Sequence, residues 1–98
     1  MINEILSEGA ENAIPGREIC ELLKINIREL TAAIERERRA GIPICASTGK
    51  PYGYFLANSK AEMDSYCNSL RHRAGELFKT RRACMDTIKD LPEEPPIN

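Results

Sequence analysis

A chain of 98 residues has room for one domain and one modest hydrophobic core. With 42% hydrophobic, 30% charged and only 5% aromatic residues, and no Trp, that core has to be built from Ile, Leu, Ala and Met. A formal net charge of −1 excludes a strong overall attraction to polyanions, so any nucleic-acid contact has to come from local charge.

The local balance varies along the chain. Residues 1–15 carry Glu4, Glu8 and Glu11 and no base. Residues 16–60 carry eight Lys/Arg against five Glu, and residues 61–89 six against four acids. Asp90, Glu93 and Glu94 close the chain. Acidic ends therefore flank a mildly basic body. The four cysteines, Cys20, Cys45, Cys67 and Cys84, include no pair at CxxC spacing, and His72 is the single histidine. No metal site is expected, because zinc needs about four clustered ligands. Three of the four cysteines fall at apolar-phase positions and read as small buried hydrophobes. No basic start leads into an apolar run, and no stretch of ~18 apolar residues exists. The expectation is a cytoplasmic protein with reduced thiols and no membrane partner.

Residues 2–8 have helical phase, with Ile2, Ile5 and Leu6 on one side and Gly9 as a stop. Residues 10–14 read as a connector. Pro15-Gly16 opens a second short helix over 17–24, with Gly16 as N-cap and Ile19, Leu22 and Leu23 at helical spacing. After a break at Ile25, Asn26 is placed to cap a third helix over 27–40, and Glu29 completes a capping-box spacing. Its apolar positions are Ile27, Leu30, Ala33 and Ile34. Arg38 and Arg39 suit its C-terminal end, and Gly41 is the expected C′ residue.

Beyond Gly41 the period changes to two. Ile42, Ile44 and Ala46 alternate with Pro43, Cys45 and Ser47. The turn cluster 47–51 follows, then Tyr52, Tyr54 and Leu56, with Phe55 on the opposite face. Asn58 or Ser59 then caps a long helix running from about 60 to 89. Pro92, Pro95 and Pro96 forbid its continuation. The fold class expected is mainly α with a small β-hairpin. Its order is that of a winged helix-turn-helix over 1–58, followed by a long amphipathic helix over 59–90 and a flexible tail over 91–98.

That order suits double-stranded DNA, because a helix of this kind fits the major groove and a hairpin can lie on the neighbouring backbone. Phasing the third helix on Leu30 and Ile34 turns Arg28, Ala32, Glu35 and Arg39 outward, flanked by Thr31 and Arg36. Asn26 stands at the start of this face. Arg28 suits guanine, and Thr31 and Ala32 suit a thymine methyl. Arg36, Arg39 and Lys50 at the hairpin tip suit phosphates. Glu35 either accepts from a cytosine amino group or holds Arg39 or Arg28. A charged outer face is equally what any solvated surface helix shows.

Residues 16–56, GREICELLKINIRELTAAIERERRAGIPICASTGKPYGYFL, resemble the winged helix-turn-helix of biotin-repressor-like proteins. They are also similar to small proteins of Gram-positive bacteria and their prophages. The resemblance rests on the short GREICELLK helix, the IRELTAAIERERRAG helix, the Ile-Pro-Ile strand and the wing ending in Gly53-Tyr54. It implies a transcriptional regulator or a phage-related accessory factor. Three positions depart from that pattern. The Lys24-Ile25-Asn26 turn has no Gly, and Ala32 stands where the family places a phosphate-contacting base. Glu37 stands where the family usually has Leu, and is expected at the edge of the core, paired with a neighbouring Arg.

In the long helix Met63, Cys67, Leu70, Ala74, Leu77, Arg81, Cys84, Ile88 and Leu91 step by four and three residues. This is a coiled-coil period, and Tyr66, Phe78 and Met85 widen the stripe. The expected partner is a second copy of the chain, making a homodimer through Met63, Cys67, Leu70, Ala74, Leu77, Arg81, Cys84 and Ile88, in parallel or antiparallel sense. Folding back on the winged domain and a heterologous partner are the alternatives. Arg71, His72, Arg73, Arg81 and Arg82 form basic clusters that are either solvated or add phosphate contacts. No catalytic pair of carboxylates, no Cys–His arrangement and no phosphate-binding Gly-rich loop is present; Gly49-Lys50 lacks the rest of a P-loop. The sequence thus leads to a non-enzymatic, sequence-specific DNA-binding dimer without a cofactor or small-molecule substrate. The rival reading is a protein-interaction module on the same scaffold.

Overall fold

The computed structural model describes residues 1–47, 49–95 and 97. The chain forms a mainly α-helical protein with one two-stranded hairpin and a long C-terminal helix. It divides into two compact units, Met1–Tyr66 and Cys67–Asn98.

The first unit begins differently from the expected helix over 2–8. Only Ile2–Glu4 form a single 3-10 turn, and a second such turn spans Ala10–Asn12. The backbone in between is committed elsewhere. Leu56 N–H donates to the Ser7 carbonyl at 2.9 Å, and Gly9 N–H donates to the Leu56 carbonyl at 2.9 Å. Ile14 and Tyr54 exchange a reciprocal pair of hydrogen bonds at 2.9 and 2.8 Å. Residues 7–14 thus lie along the hairpin, and groups bonded to a strand cannot also propagate a helix.

Helix α1 (Gly16–Leu23) has Pro15, not Gly16, as its N-cap. Gly16 sits where α1 meets its neighbours, and a Cβ there would come to 3.4 Å from both Leu30 and Tyr54 side-chain atoms. Lys24 ends the helix in the left-handed region, at φ 54° and ψ 48°. Helix α2 (Ile27–Arg39) starts on a complete capping box. The Asn26 side chain accepts from Glu29 N–H at 2.8 Å, and the Glu29 carboxylate accepts from Asn26 N–H at 3.1 Å. At its other end Gly41 takes φ 97°. Its N–H donates to the Arg38 carbonyl and Ile42 N–H to the Glu37 carbonyl, each at 3.0 Å, which is the Schellman arrangement.

Strands β1 (Ile44–Ser47) and β2 (Gly53–Leu56) pair antiparallel, with Ile44 opposite Leu56 and Cys45 opposite Phe55. Of the turn between them, Thr48 lies outside the described residues. Ser47 Oγ donates to the Gly49 carbonyl at 2.9 Å.

The sheet is buried on both faces. Ile2, Leu6, Ile19, Leu30, Ile34 and Ile44 form one cluster, with Tyr54 and Leu56 packed against it. Cys45, Phe55 and Tyr66 form the other, joined by Ala13, Ala57 and Met63. Burying a side chain the size of Ile or Leu stabilises the fold by about 1.5–3 kcal/mol. Three residues expected in the core are instead on the surface: Leu22 (68% exposed), Leu23 and Ile27 (61% exposed). They stand at the end of α1 and the first position of α2, where helical phase still points inward but no neighbouring element covers them.

Helix α3 (Lys60–Asp86) contributes its first two turns to this unit. Ser59 Oγ caps it by accepting from Glu62 N–H at 3.1 Å. The Glu62 carboxylate in turn accepts from Asn58 and Ala10 N–H at 2.9 and 3.0 Å. In the second unit α3 stops at Asp86, short of the expected 89. Thr87 Oγ1 donates to the Cys84 carbonyl at 2.7 Å, and Ile88–Asp90 form a 3-10 turn. Ile88 is therefore not in the α-helix. Leu91 to Pro95 hold no helix or strand; within the expected tail, Pro96 and Asn98 lie outside the described residues. No helix among the described residues is long and apolar enough to cross a membrane.

Candidate nucleic-acid interface

The two sides of α2 have opposite characters. Leu30, Ile34 and Glu37 are buried, while Arg28, Thr31, Ala32, Glu35, Arg36 and Arg39 are exposed. Asn26 is exposed too, with its side chain engaged in the cap. Thr31 Oγ1 donates to the Ile27 carbonyl at 2.9 Å, so its methyl, rather than its hydroxyl, is the free group. Arg39 and Glu35 form an exposed ion pair at 3.2 Å. Such a pair contributes only about 0.3–0.5 kcal/mol, so a phosphate can compete for the guanidinium. Arg28 and Arg36 make no ion pair among the described residues. Lys50 is exposed at the hairpin tip of the same unit, next to Tyr52, which is also exposed.

The hairpin carrying Lys50 is held close to residues 7–14. Gly53 has φ 137°, and a Cβ there would collide with the Ile14 carbonyl. Only glycine lets β2 approach Ile14 this closely.

Two residues near the end of α2 behave unlike their neighbours. Arg38 turns inward: its Nε–H donates to the Ile44 carbonyl at 2.8 Å, and its guanidinium lies 4.8 Å from the Tyr66 ring centroid. It joins α2 to β1 and to the first turns of α3, and leaves Arg36 and Arg39 as the outward arginines of the last turn. Glu37, 4% exposed, is not paired with an arginine as the sequence suggested. Its two carboxylate oxygens accept the backbone N–H groups of Ile2 and Asn3, each at 2.8 Å. The carboxylate thereby satisfies two backbone donors of the N-terminal turn that would otherwise be left without partners.

Of the residues expected to pair two copies, Met63 is half-buried in the first unit, with its sulfur 3.7 Å from Cys45 Sγ. Tyr66 is buried in the same cluster. Cys67, Leu70, Ala74, Leu77, Arg81 and Cys84 are exposed along α3, with Phe78 and Met85 beside them. No group of three or more potential metal ligands occurs among the described residues. Sequence reasoning missed Ile27, Arg38 and Glu62. Arg38 reaches Tyr66 and Glu62 reaches Ala10, both distant in sequence, and Ile27 lacks only a cover. The Ser59-x-x-Glu62 capping-box spacing is the one local signal that pointed to Glu62.

The fold and this face define a small, mainly helical protein with a hairpin and a helix, α2, whose outward side carries arginines. Compared with protein-family models, with curated proteins and with solved structures, the chain matches none.

Proposed function

We propose that the chain is a non-enzymatic, sequence-specific binder of double-stranded DNA that works as a winged helix-turn-helix. In this reading α1 and α2 are the helix-turn-helix, α2 enters the major groove, and the β1–β2 hairpin is the wing. The observation that carries it is the one-sided burial of α2, which leaves Arg28, Arg36 and Arg39 outward beside Thr31 and Ala32. Arg28, in the first turn, has the reach for bidentate contact with a guanine edge. Arg36, Arg39 and Lys50 contribute sequence-independent phosphate contacts. Glu35 holds Arg39 in the free protein.

The protein acts as a homodimer through the exposed stripe of α3, so that two reading helices meet a site with two-fold symmetry. A chromosomal or phage target puts it in the cytoplasm as a transcriptional regulator or a phage-related accessory factor. Selection of bound duplexes from a random pool tests this reading, with the mass measured by light scattering on the same sample. A palindromic consensus and a mass near twice 11.0 kDa support it. Failure to retain any duplex at micromolar protein and ~50 mM salt overturns it, because counterion release makes DNA binding strongest at low salt.

One observation favours a second reading, a protein-interaction module. Leu22 and Ile27 are more than half exposed, and Leu22 lines a surface depression with Glu18 and Glu21. A mixed apolar and acidic surface of this kind suits a protein partner better than a phosphate backbone.

A further inference from the structure

The six exposed positions Cys67, Leu70, Ala74, Leu77, Arg81 and Cys84 are candidates to pair with a second copy in either sense. What each would face decides between the two. In a parallel, in-register pair every residue meets its own counterpart. Arg81 then lies against Arg81 in the seam, and Ala74 against Ala74 leaves a gap beside layers of Leu against Leu. In an antiparallel pair centred between Gly75 and Glu76, Ala74 meets Leu77 and Leu70 meets Arg81. Cys67 then meets Cys84. Small side chains face large ones at the centre, which is how facing helices fill space. The two Arg81 charges are separated by about 16 Å along the axis, well beyond the screening length of about 8 Å at physiological salt. Each arginine stem lies along a leucine with its head in water. Phe78 of one copy falls on the same flank as Arg71 of the other, a cation–π partner for its ring.

Shifting the antiparallel pair by one heptad is worse in both directions. One shift leaves Arg81 opposite Met63, which is already packed against Cys45 in the first unit. The other brings the two Arg81 residues close together and places Leu70 opposite Ile88, beyond the end of α3. Of the three registers, only the centred one pairs all six positions among themselves.

We infer that two copies of the chain pair antiparallel through α3 in this register, with Cys67 of each copy opposite Cys84 of the other. The inference rests on the dimer part of the proposed function and is independent of the DNA reading. The test uses the full chain with Cys20→Ser, leaving Cys67 and Cys84 as the only exposed thiols. The reduced protein is sized by light scattering, then oxidised with diamide, which takes up the two hydrogens released as two thiols join. The expected result is a dimer mass and a covalent dimer on a non-reducing gel. Cys67→Ser and Cys84→Ser should each reduce that band about tenfold or more, because like cysteines are then about 25 Å apart. Mixing the two variants should restore it. Cross-linking that persists in either single variant overturns the antiparallel register while leaving the dimer standing, as does a dimer mass with no cross-link in the parent. A monomer mass at tens of micromolar overturns both.

Discussion

Glu37 and Ile2 are joined across 35 positions of sequence by a 2.8 Å hydrogen bond from a backbone N–H to a buried carboxylate, and Asn3 makes the same bond to the other oxygen. One side chain thereby holds the start of the chain against α2. Glu37→Gln keeps one acceptor oxygen and turns an amide N–H₂ toward the other donor. A buried donor left without a partner costs about 1–3 kcal/mol. Urea unfolding of Glu37→Gln should show a loss of that size, and Glu37→Leu a larger one. Hydrogen exchange at Ile2 and Asn3 should lose its protection in both variants. Unchanged melts would show that the bonds contribute nothing net.

The outward side of α2 and the hairpin tip should separate in their effects on DNA. Arg28→Ala should cost about 1–3 kcal/mol on a selected duplex and relax preference at one base position. Lys50→Ala should weaken binding evenly across sequences and reduce the salt slope by about one. Titrations at two or more salt concentrations read both quantities. Equal loss from the two variants on every sequence would remove Arg28 from the reading role.

Lys24 occupies left-handed backbone at φ 54°, a conformation that costs a side-chain-bearing residue about 1–2 kcal/mol. Lys24→Gly removes that cost, offset in part by the greater freedom of glycine in the unfolded chain. Thermal unfolding should show a gain of up to about 1 kcal/mol. Lys24→Ala, which keeps a Cβ, should be close to neutral.

Gly53→Ala tests how the hairpin is held. The new methyl meets the Ile14 carbonyl at a φ of 137°. Destabilisation of about 2–4 kcal/mol is expected, with amide protection lost first at Ile14 and Tyr54. A variant as stable as the parent would mean that β2 can withdraw from Ile14 without loss.

What was legible in the sequence was local. The capping box of Asn26 and Glu29 and the turn at Gly41 depend on contacts a few residues apart, and so can be read from spacing. The hairpin declared itself through a change of period. The outward residues of α2 followed from the phase set by Leu30 and Ile34. The rest depended on distant partners. The helix expected over 2–8 gave way because Ser7 and Gly9 bond to Leu56, nearly fifty residues on. Ile27 and Leu22 had the phase of core residues and lacked only a neighbour to cover them. The buried role of Glu37 cannot be inferred from α2 alone, since both groups it satisfies belong to the other end of the unit.

Ile44 and Cys45 are adjacent, both fully buried, and belong to different clusters. The hairpin is thus a partition between two compartments, each already filled. A slip of one residue would send Ile44 into the space shaped for a thiol and Cys45 into the space shaped for a branched aliphatic chain. Misregistered pairing is therefore penalised on both sides at once, and a four-residue strand gains a uniqueness that its length alone would not confer.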